Sequence, residues 1–412
     1  MATKDSASYC GKFGKDTPIL MYDSTIKMAR DICVGDMLMG DDSTPRRVLS
    51  LSCAEEDLFD VVPVKGDKYM VNSAHILCLK ISANGKIIKI PNKNGTTGYK
   101  TMLFDTKSFS YKYKSFPSME EARKYAQQYK NDIITEIPIT DYLKLPYYIR
   151  SHLKGYRMGV TYPEHHTDID PYLMGLWLGD GTSSKSQITT LDTEIITYIY
   201  EVATSMGLQV CKNGAGDGAL SYHISSGKRG KRPANRPDNP FTDALKKYNV
   251  LNNKHIPLEF QVNSRANRMK LLAGLLDSDG YYYGGCYEIA QKLKVLADDI
   301  LLLARSLGFA AYAKCTQKSC MYKGERKTGT YYITVISGDF EGLPMRIPRK
   351  VPKKRSQIKS VLVTGVTVTP IGRGEYYGFV LDGNHRYLLG DFTVNKTHGL
   401  LKTKIEDPQI VK

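Results

Sequence analysis

Residues 173–181 read Leu-Met-Gly-Leu-Trp-Leu-Gly-Asp-Gly, and residues 272–280 read Leu-Ala-Gly-Leu-Leu-Asp-Ser-Asp-Gly. Each is an apolar run carrying an internal glycine where a second helix can approach closely, and each closes on Asp-Gly, as a helix C-terminus does. The likeness runs on downstream. Thr204-Ser205-Met206-Gly207-Leu208 is answered 101 residues later by Arg305-Ser306-Leu307-Gly308-Phe309, while Asp180 and Asp279 lie 99 residues apart. Repetition at a fixed spacing predicts a duplicated unit of about a hundred residues.

A duplicate that keeps one carboxylate per copy has a chemical reading. Two helices packed through their small residues bring Asp180 and Asp279 out together, and such like charges are tolerable when cations bridge them. Hard divalent ions favour that oxygen environment. Metals so placed activate water and stabilise the leaving oxygen of a phosphodiester. A single Asp-Gly at a helix end reads more simply as the cap of a core helix; the repetition favours the paired site.

These two motifs resemble the LAGLIDADG homing endonucleases, over roughly residues 168–357. The resemblance implies that Asp180 and Asp279 are metal-binding catalytic acids, served by Mg²⁺ or Mn²⁺. It implies a catalytic role for Lys254 as well, because Lys254-His255-Ile256-Pro257 matches the place where the vacuolar-ATPase intein endonuclease carries a basic residue before Ile-Pro. The second copy's counterpart lies in Arg349-Lys350-Val351-Pro352, with Lys350 preferred and Arg349 the alternative. Such a lysine polarises the attacking water, neutralises the pentacovalent phosphate, or simply anchors a phosphate. The first motif departs from the family pattern at Leu178, where Asp is common.

Composition agrees with a nucleic-acid partner. The chain has 412 residues, a formal charge of +16 and 42% hydrophobic residues, an ordinary globular balance with too much length for one core. Two Pro-punctuated clusters concentrate the charge: Lys228, Arg229, Lys231, Arg232 and Arg236, then Arg346, Arg349, Lys353, Lys354 and Arg355 around Lys350. Cationic loops suit phosphate contact, although each also reads as a solvated linker or an import tract. Eight cysteines lie scattered without a Cys-x-x-Cys pair, which excludes a zinc ribbon and fits reduced thiols. No run of about 18 apolar residues is present and the start carries no signal-peptide core, so the expectation is a nuclear or cytoplasmic protein off the membrane.

Outside 168–357 the pattern changes to short alternating segments that turn at Gly or Asp. Thr17-Pro18-Ile19-Leu20-Met21-Tyr22-Asp23 and Val34-Gly35-Asp36 near the start have counterparts in Tyr376–Leu381 and Tyr387-Leu388-Leu389 near the end. Strands at both ends around a different middle suggest one all-β domain with an insertion. This pattern resembles the Hint fold of inteins. By that resemblance, Asn72-Ser73-Ala74-His75 is the block whose His activates the N-terminal scissile peptide, and Asp382 with His385 is the block assisting C-terminal cleavage. Splicing also needs a thiol or hydroxyl nucleophile and a terminal Asn. The intein register instead places Lys12 first, with Cys10 two residues too early, and an ungapped match at the other end puts Lys396-Thr397-His398 where His-Asn-nucleophile belongs. Asn395 serves only with a gap, and Lys396 then follows it. Both junctions argue for lost splicing.

The expectation is an α+β protein: a discontinuous all-β Hint domain (12–95 and 358–397), a Tyr- and Lys-rich connecting region that contacts DNA (96–167), and a pseudo-twofold LAGLIDADG domain (168–357) of two αββαββα halves. Its activity is site-specific cleavage of double-stranded DNA at a long asymmetric target, by a monomer. The alternatives are an intein that still splices and homes, and a DNA-binding relic that does not cleave.

Overall fold

In the computed structural model the described residues are 12–91, 96–129, 133–214, 220–227, 239–322, 325–354 and 360–397. They form two compact units, one made of the residues through Arg157 together with those from Val363 onward, the other of Met158–Leu362. The 96–167 stretch therefore divides at Arg157.

The first unit is built on two long strands, Pro45–Pro63 and Val363–Leu381, paired antiparallel from Pro63 opposite Val366 to Val48 opposite Leu381. Their register shifts between Pro370 and Gly372. Proline has no N–H for the ladder and Gly372 has φ +92°, so the irregularity falls where the sequence cannot sustain regular pairing. The short strand Leu153–Tyr156 lies beside the start of Val363–Leu381, with Tyr156 opposite Val363. The chain thus leaves and re-enters this unit on neighbouring hydrogen-bonded strands, a geometry that permits a long intervening segment without breaking the sheet. Phe13, Val71, Leu77, Leu79, Phe379 and Tyr387 fill its core. A three-stranded meander, Lys86–Pro91, Thr97–Asp105 and Ser110–Phe116, carries the helix Met119–Gln127. As the Ser118/Glu121 spacing predicts, Ser118 Oγ accepts from Glu121 N at 3.2 Å.

The second unit shows the internal repeat directly. The helix Pro171–Asp180 is followed by strand Gln187–Thr190, helix Thr193–Ser205 and strands Gln209–Asn213 and Leu220–Ser225. Helix Arg265–Asp279 is followed by Gly280–Tyr283, Cys286–Gln291, helix Lys294–Ser306, Ala310–Tyr322 and Glu325–Ser337. The halves differ from the expected αββαββα in two places. In the first, Gly181 makes only a single bridge to Ile188, formed as Thr182 N donates to Gln187 O, where a full strand was expected. In the second, the closing helix of the first half (Pro240–Lys247) is replaced by one 3₁₀ turn, Pro348–Lys350, flanked by proline.

Candidate active site

Along their crossing segments the two motif helices are buried on every side, as helices packed between other layers must be. From Tyr172 to Leu178 and from Leu271 to Asp277 every residue is buried. They cross at their glycines. A Cβ on Gly175 would lie 2.2 Å from Leu271 O, and one on Gly274 would lie 2.2 Å from Tyr172 O, so only glycine permits this approach. The helix ends converge with it: a Cβ on Gly179 would collide with the Ser278 side chain and stand 3.5 Å from Asp279 Oδ2.

Convergence and burial together set the electrostatics. Asp180 is pushed up to about 6, chiefly by loss of water and then by the charge of Asp279, against the pull of Lys350 and Lys254. Asp279 is also raised by burial, opposed by a hydrogen bond from Gln291 and by the same two lysines. Asp180 is half-buried and Asp279 keeps exposed surface, so the two carboxylates converge where an incoming cation can reach them.

The lysines occupy matching places. Lys254 Nζ donates to the carbonyls of Leu178 (2.9 Å), Gly179 (3.1 Å) and Gly181 (2.7 Å). Lys350 Nζ donates to those of Leu276 (3.1 Å), Asp277 (2.6 Å) and Ser278 (2.9 Å). Each caps the C-terminus of one motif helix, where orphan carbonyls and the helix dipole attract a cation. Burial lowers both ammoniums, Lys254 to about 8. All three donors of each ammonium are spent on carbonyls, so in this arrangement their effect on the acids is through charge. Arg349, the alternative partner, instead pairs with Asp192 (Nη2 to Oδ2, 3.1 Å), which leaves Lys350 as the counterpart of Lys254.

Leu178 and Asp277 explain the first motif's departure. Asp277 is buried and accepts from Tyr172 Oη (2.5 Å), Arg346 N (2.7 Å) and Ile347 N (3.4 Å). It ties the 346–347 segment to its helix. Leu178, at the equivalent place, is 1% exposed and packs in the core.

Of the basic residues expected at DNA, Lys353 and Lys354 are exposed. The Arg346 guanidinium stacks over Tyr198 at 4.1 Å and Tyr172 at 5.1 Å, and Arg349 holds Asp192, so both have internal partners. Lys228, Arg229, Lys231, Arg232, Arg236 and Arg355 lie outside the described residues, as does Cys10. Side-chain alternation supplies further polar surface that charge counting missed. Ile188, Tyr222 and Ile224 face the core, so Gln187 and His223 face outward, and they line a cleft of about 560 Å³ with Asn213, Ser225 and Asn239. In the second half, Tyr281 and Tyr283 stand exposed with rings stacked at 6.2 Å.

The first unit brings together a second set. Lys12, expected at the leading splice position, is wholly buried on strand Lys12–Phe13, donates to Glu56 Oε1 at 2.6 Å and sits 3.9 Å over the Tyr376 ring. Glu56 Oε2 accepts from Asn72 Nδ2 at 2.7 Å. His75 Nε2 lies 2.9 Å from Asn395 Oδ1, and the His75 ring meets Phe13 edge-on at 5.0 Å. Asp382 and His385 occupy a turn instead: Asp382 Oδ1 accepts from Arg47 N at 2.8 Å, and His385, at φ 62°, has Nδ1 2.6 Å from Leu381 O. Glu56 was not foreseen, because nothing in Ala54-Glu55-Glu56-Asp57 marks one of its three carboxylates as the partner of Lys12.

Residues 12–396 match the family described as Hom_end-associated Hint. Among curated proteins the chain is similar to the replicative DNA helicase DnaB of Mycobacterium intracellulare, 25% identical over 90% of this chain and 56% of that protein. It is also similar to the homothallic switching endonuclease of Saccharomyces cerevisiae, 28% identical over 53% of this chain and 42% of that protein. The chain thus spans about half the length of the curated relatives it matches. Among solved structures, I-DmoI in complex with DNA and Mn is 16% identical, covering 41% of this chain and 89% of its own, with a TM-score of 0.27.

Proposed function

The chain belongs to the Hom_end-associated Hint family, and from that premise we propose that its second unit is a metal-dependent, site-specific double-strand DNA endonuclease of the LAGLIDADG type, inserted in a Hint domain that no longer splices. The observation that carries the reading is the meeting of Asp180 and Asp279 at the ends of glycine-crossed helices, each helix end capped by a lysine. The donor chemistry fits a hard divalent ion. Lost hydration raises both carboxyls and the charge of Asp279 raises Asp180 further, and among the described residues no third His, Cys, Asp or Glu joins them in a cluster. Such an open oxygen site suits Mg²⁺ or Mn²⁺, which keep waters and bind substrate phosphates rather than filling a protein cage.

When bound, the ion supplies Lewis acidity at the scissile phosphate and a more acidic water. The chain's own part is to fix both carboxylates by glycine-limited packing, to lower their hydration without closing them off from solvent, and to hold the motif ends with Lys254 and Lys350. The outward residues Gln187, Asn213 and His223 offer amide and imidazole groups of the kind that read base edges. Their partner is a long asymmetric duplex engaged by a monomer, since both half-units lie in one chain.

The test is incubation of the purified protein with Mg²⁺ and a plasmid library of candidate targets. Linear product from wild type, absent with Asp180→Asn or Asp279→Asn, is the expected result. Inactivity of wild type on every target and metal would sink the reading in favour of a non-cleaving DNA-binding relic.

One observation favours a second reading, an active intein: the His75–Asn395 contact places a histidine on the side chain of an asparagine near the C-terminal strand. Against it stands Lys12, whose amine is committed to Glu56 and supplies neither thiol nor hydroxyl. Mass spectrometry of the expressed chain separates the two, with the 46.2 kDa species surviving intact if splicing is lost.

A further inference from the structure

The two acids are not held alike. Asp279 Oδ2 accepts from Gln291 Nε2 at 2.6 Å, and Gln291 is only 8% exposed. A carboxylate only accepts, so the amide must turn its nitrogen toward it. Gln291 closes the strand Cys286–Gln291, in which Ile289 pairs with Gly280; in the first half Ile188 bridges Gly181 in the same way. Two residues beyond each bridge the second half has Gln291 and the first half has Thr190. Thr190 is shorter, and its Oγ1 already accepts from Asp192 N at 3.1 Å, while Asp192 pairs with Arg349. Among the described residues Asp180 has no hydrogen bond corresponding to that of Asp279.

We propose that Gln291 is a positioning residue that orients Asp279 before substrate binds, and that the two strand cuts are consequently unequal: the strand served by the anchored acid is cut first. This rests on the endonuclease reading above. Each cut adds water across one phosphodiester, with the water oxygen joining phosphorus as the bond to the leaving oxygen breaks and a proton passing to that oxygen. The inequality arises because Asp180 must lose side-chain freedom during binding, a cost Asp279 has met through folding.

Strand-resolved kinetics on supercoiled plasmid carrying one target test the inference. Wild type should accumulate open circles nicked on a single strand. Gln291→Ala should slow that first nick by about tenfold, the scale of a lost hydrogen bond to a charged group, and bring the two strands to similar rates, with an unchanged melting temperature. Thr190→Gln, which offers the first half an amide, should speed the other strand. A measurement independent of metal and of cleavage is the Gln291 side-chain amide in ¹H–¹⁵N spectra of the metal-free protein. Its signals should move with Asp279→Asn and stay with Asp180→Asn. Equal nicking of both strands by wild type, a strand bias untouched by Gln291→Ala, or an amide indifferent to Asp279→Asn each overturns the inference. Should wild type cut no DNA, the endonuclease reading fails by itself, and the amide spectrum alone decides whether Gln291 anchors Asp279.

Discussion

Lys12 and Asp180 are both ionisable groups withdrawn from water, and they have been treated in opposite ways. Lys12 sits with a carboxylate at 2.6 Å and an aromatic face at 3.9 Å, so its charge is matched where it lies. Asp180 faces another carboxylate, and the lysines nearby spend their donors on helix ends. A buried charge with its partner in place is a structural element, whereas crowded like charges are held at a cost that only an incoming cation offsets. The endonuclease chemistry proposed above is therefore to be sought in the second unit, while Lys12 is part of the core of the first.

The largest effect that would break this contrast lies in cleavage. Asp180→Asn and Asp279→Asn should each lower double-strand cleavage by about a thousandfold or more, the order expected when an electrostatic group at the reacting centre is removed, whereas Lys12→Met should leave the specific activity of the folded fraction unchanged. Linearisation of target plasmid at matched folded concentration measures both, and loss of cleavage with Lys12→Met would refute the division of labour. Next comes stability. Lys12→Met strips Glu56 and Asn72 of their cation and should cost about 2 kcal/mol in urea unfolding of the first unit. Asp180→Asn should act with the opposite sign, raising the stability of the metal-free protein at pH 7 by on the order of 1–2 kcal/mol, because it removes a charge the fold strains to keep. Equal signs for the two substitutions would erase the contrast.

How far this could be read from sequence follows from the same residues. Motif helices announce themselves because glycine at a crossing and Asp-Gly at an end are local demands, visible at Gly175, Gly274, Asp180 and Asp279. Lys254 and Lys350 were visible as basic residues before hydrophobic-proline steps, but their hydrogen bonds to carbonyls 73 to 76 and 72 to 74 residues away were not. Charge clusters misled in part: Arg346 and Arg349 count equally in a net-charge sum, yet stacking on tyrosines and an ion pair with Asp192 engage both. Gln291 escaped entirely, since a single amide at a strand end acquires meaning only once Asp279 lies beside it. The missing first strand and closing helix arise from turn chemistry at Thr182–Lys185 and Pro348, which a repeat-based reading averages away.

The smallest expected effect is also the most discriminating, because it separates repulsion from mere burial. The folded-state value of Asp180, about 6, lies above its ordinary 3.8. A carboxyl raised in this way favours the folded state fully below about pH 4, and that contribution is lost as the pH climbs toward 6. Metal-free wild type should accordingly melt at progressively lower temperature from pH 4 to 6 relative to Asp180→Asn, and the two curves should run parallel above pH 7. Stabilisation by added Ca²⁺ should show the complement, growing through pH 6 as the carboxylate becomes available, because a cation binds only the ionised pair. Asp279→Asn removes the like charge but leaves Asp180 buried. If that variant moves the wild-type transition downward in pH, crowding by Asp279 is part of the strain; an unmoved transition would mean that desolvation alone holds Asp180, and the pair would then be two separate acids rather than one site awaiting a cation.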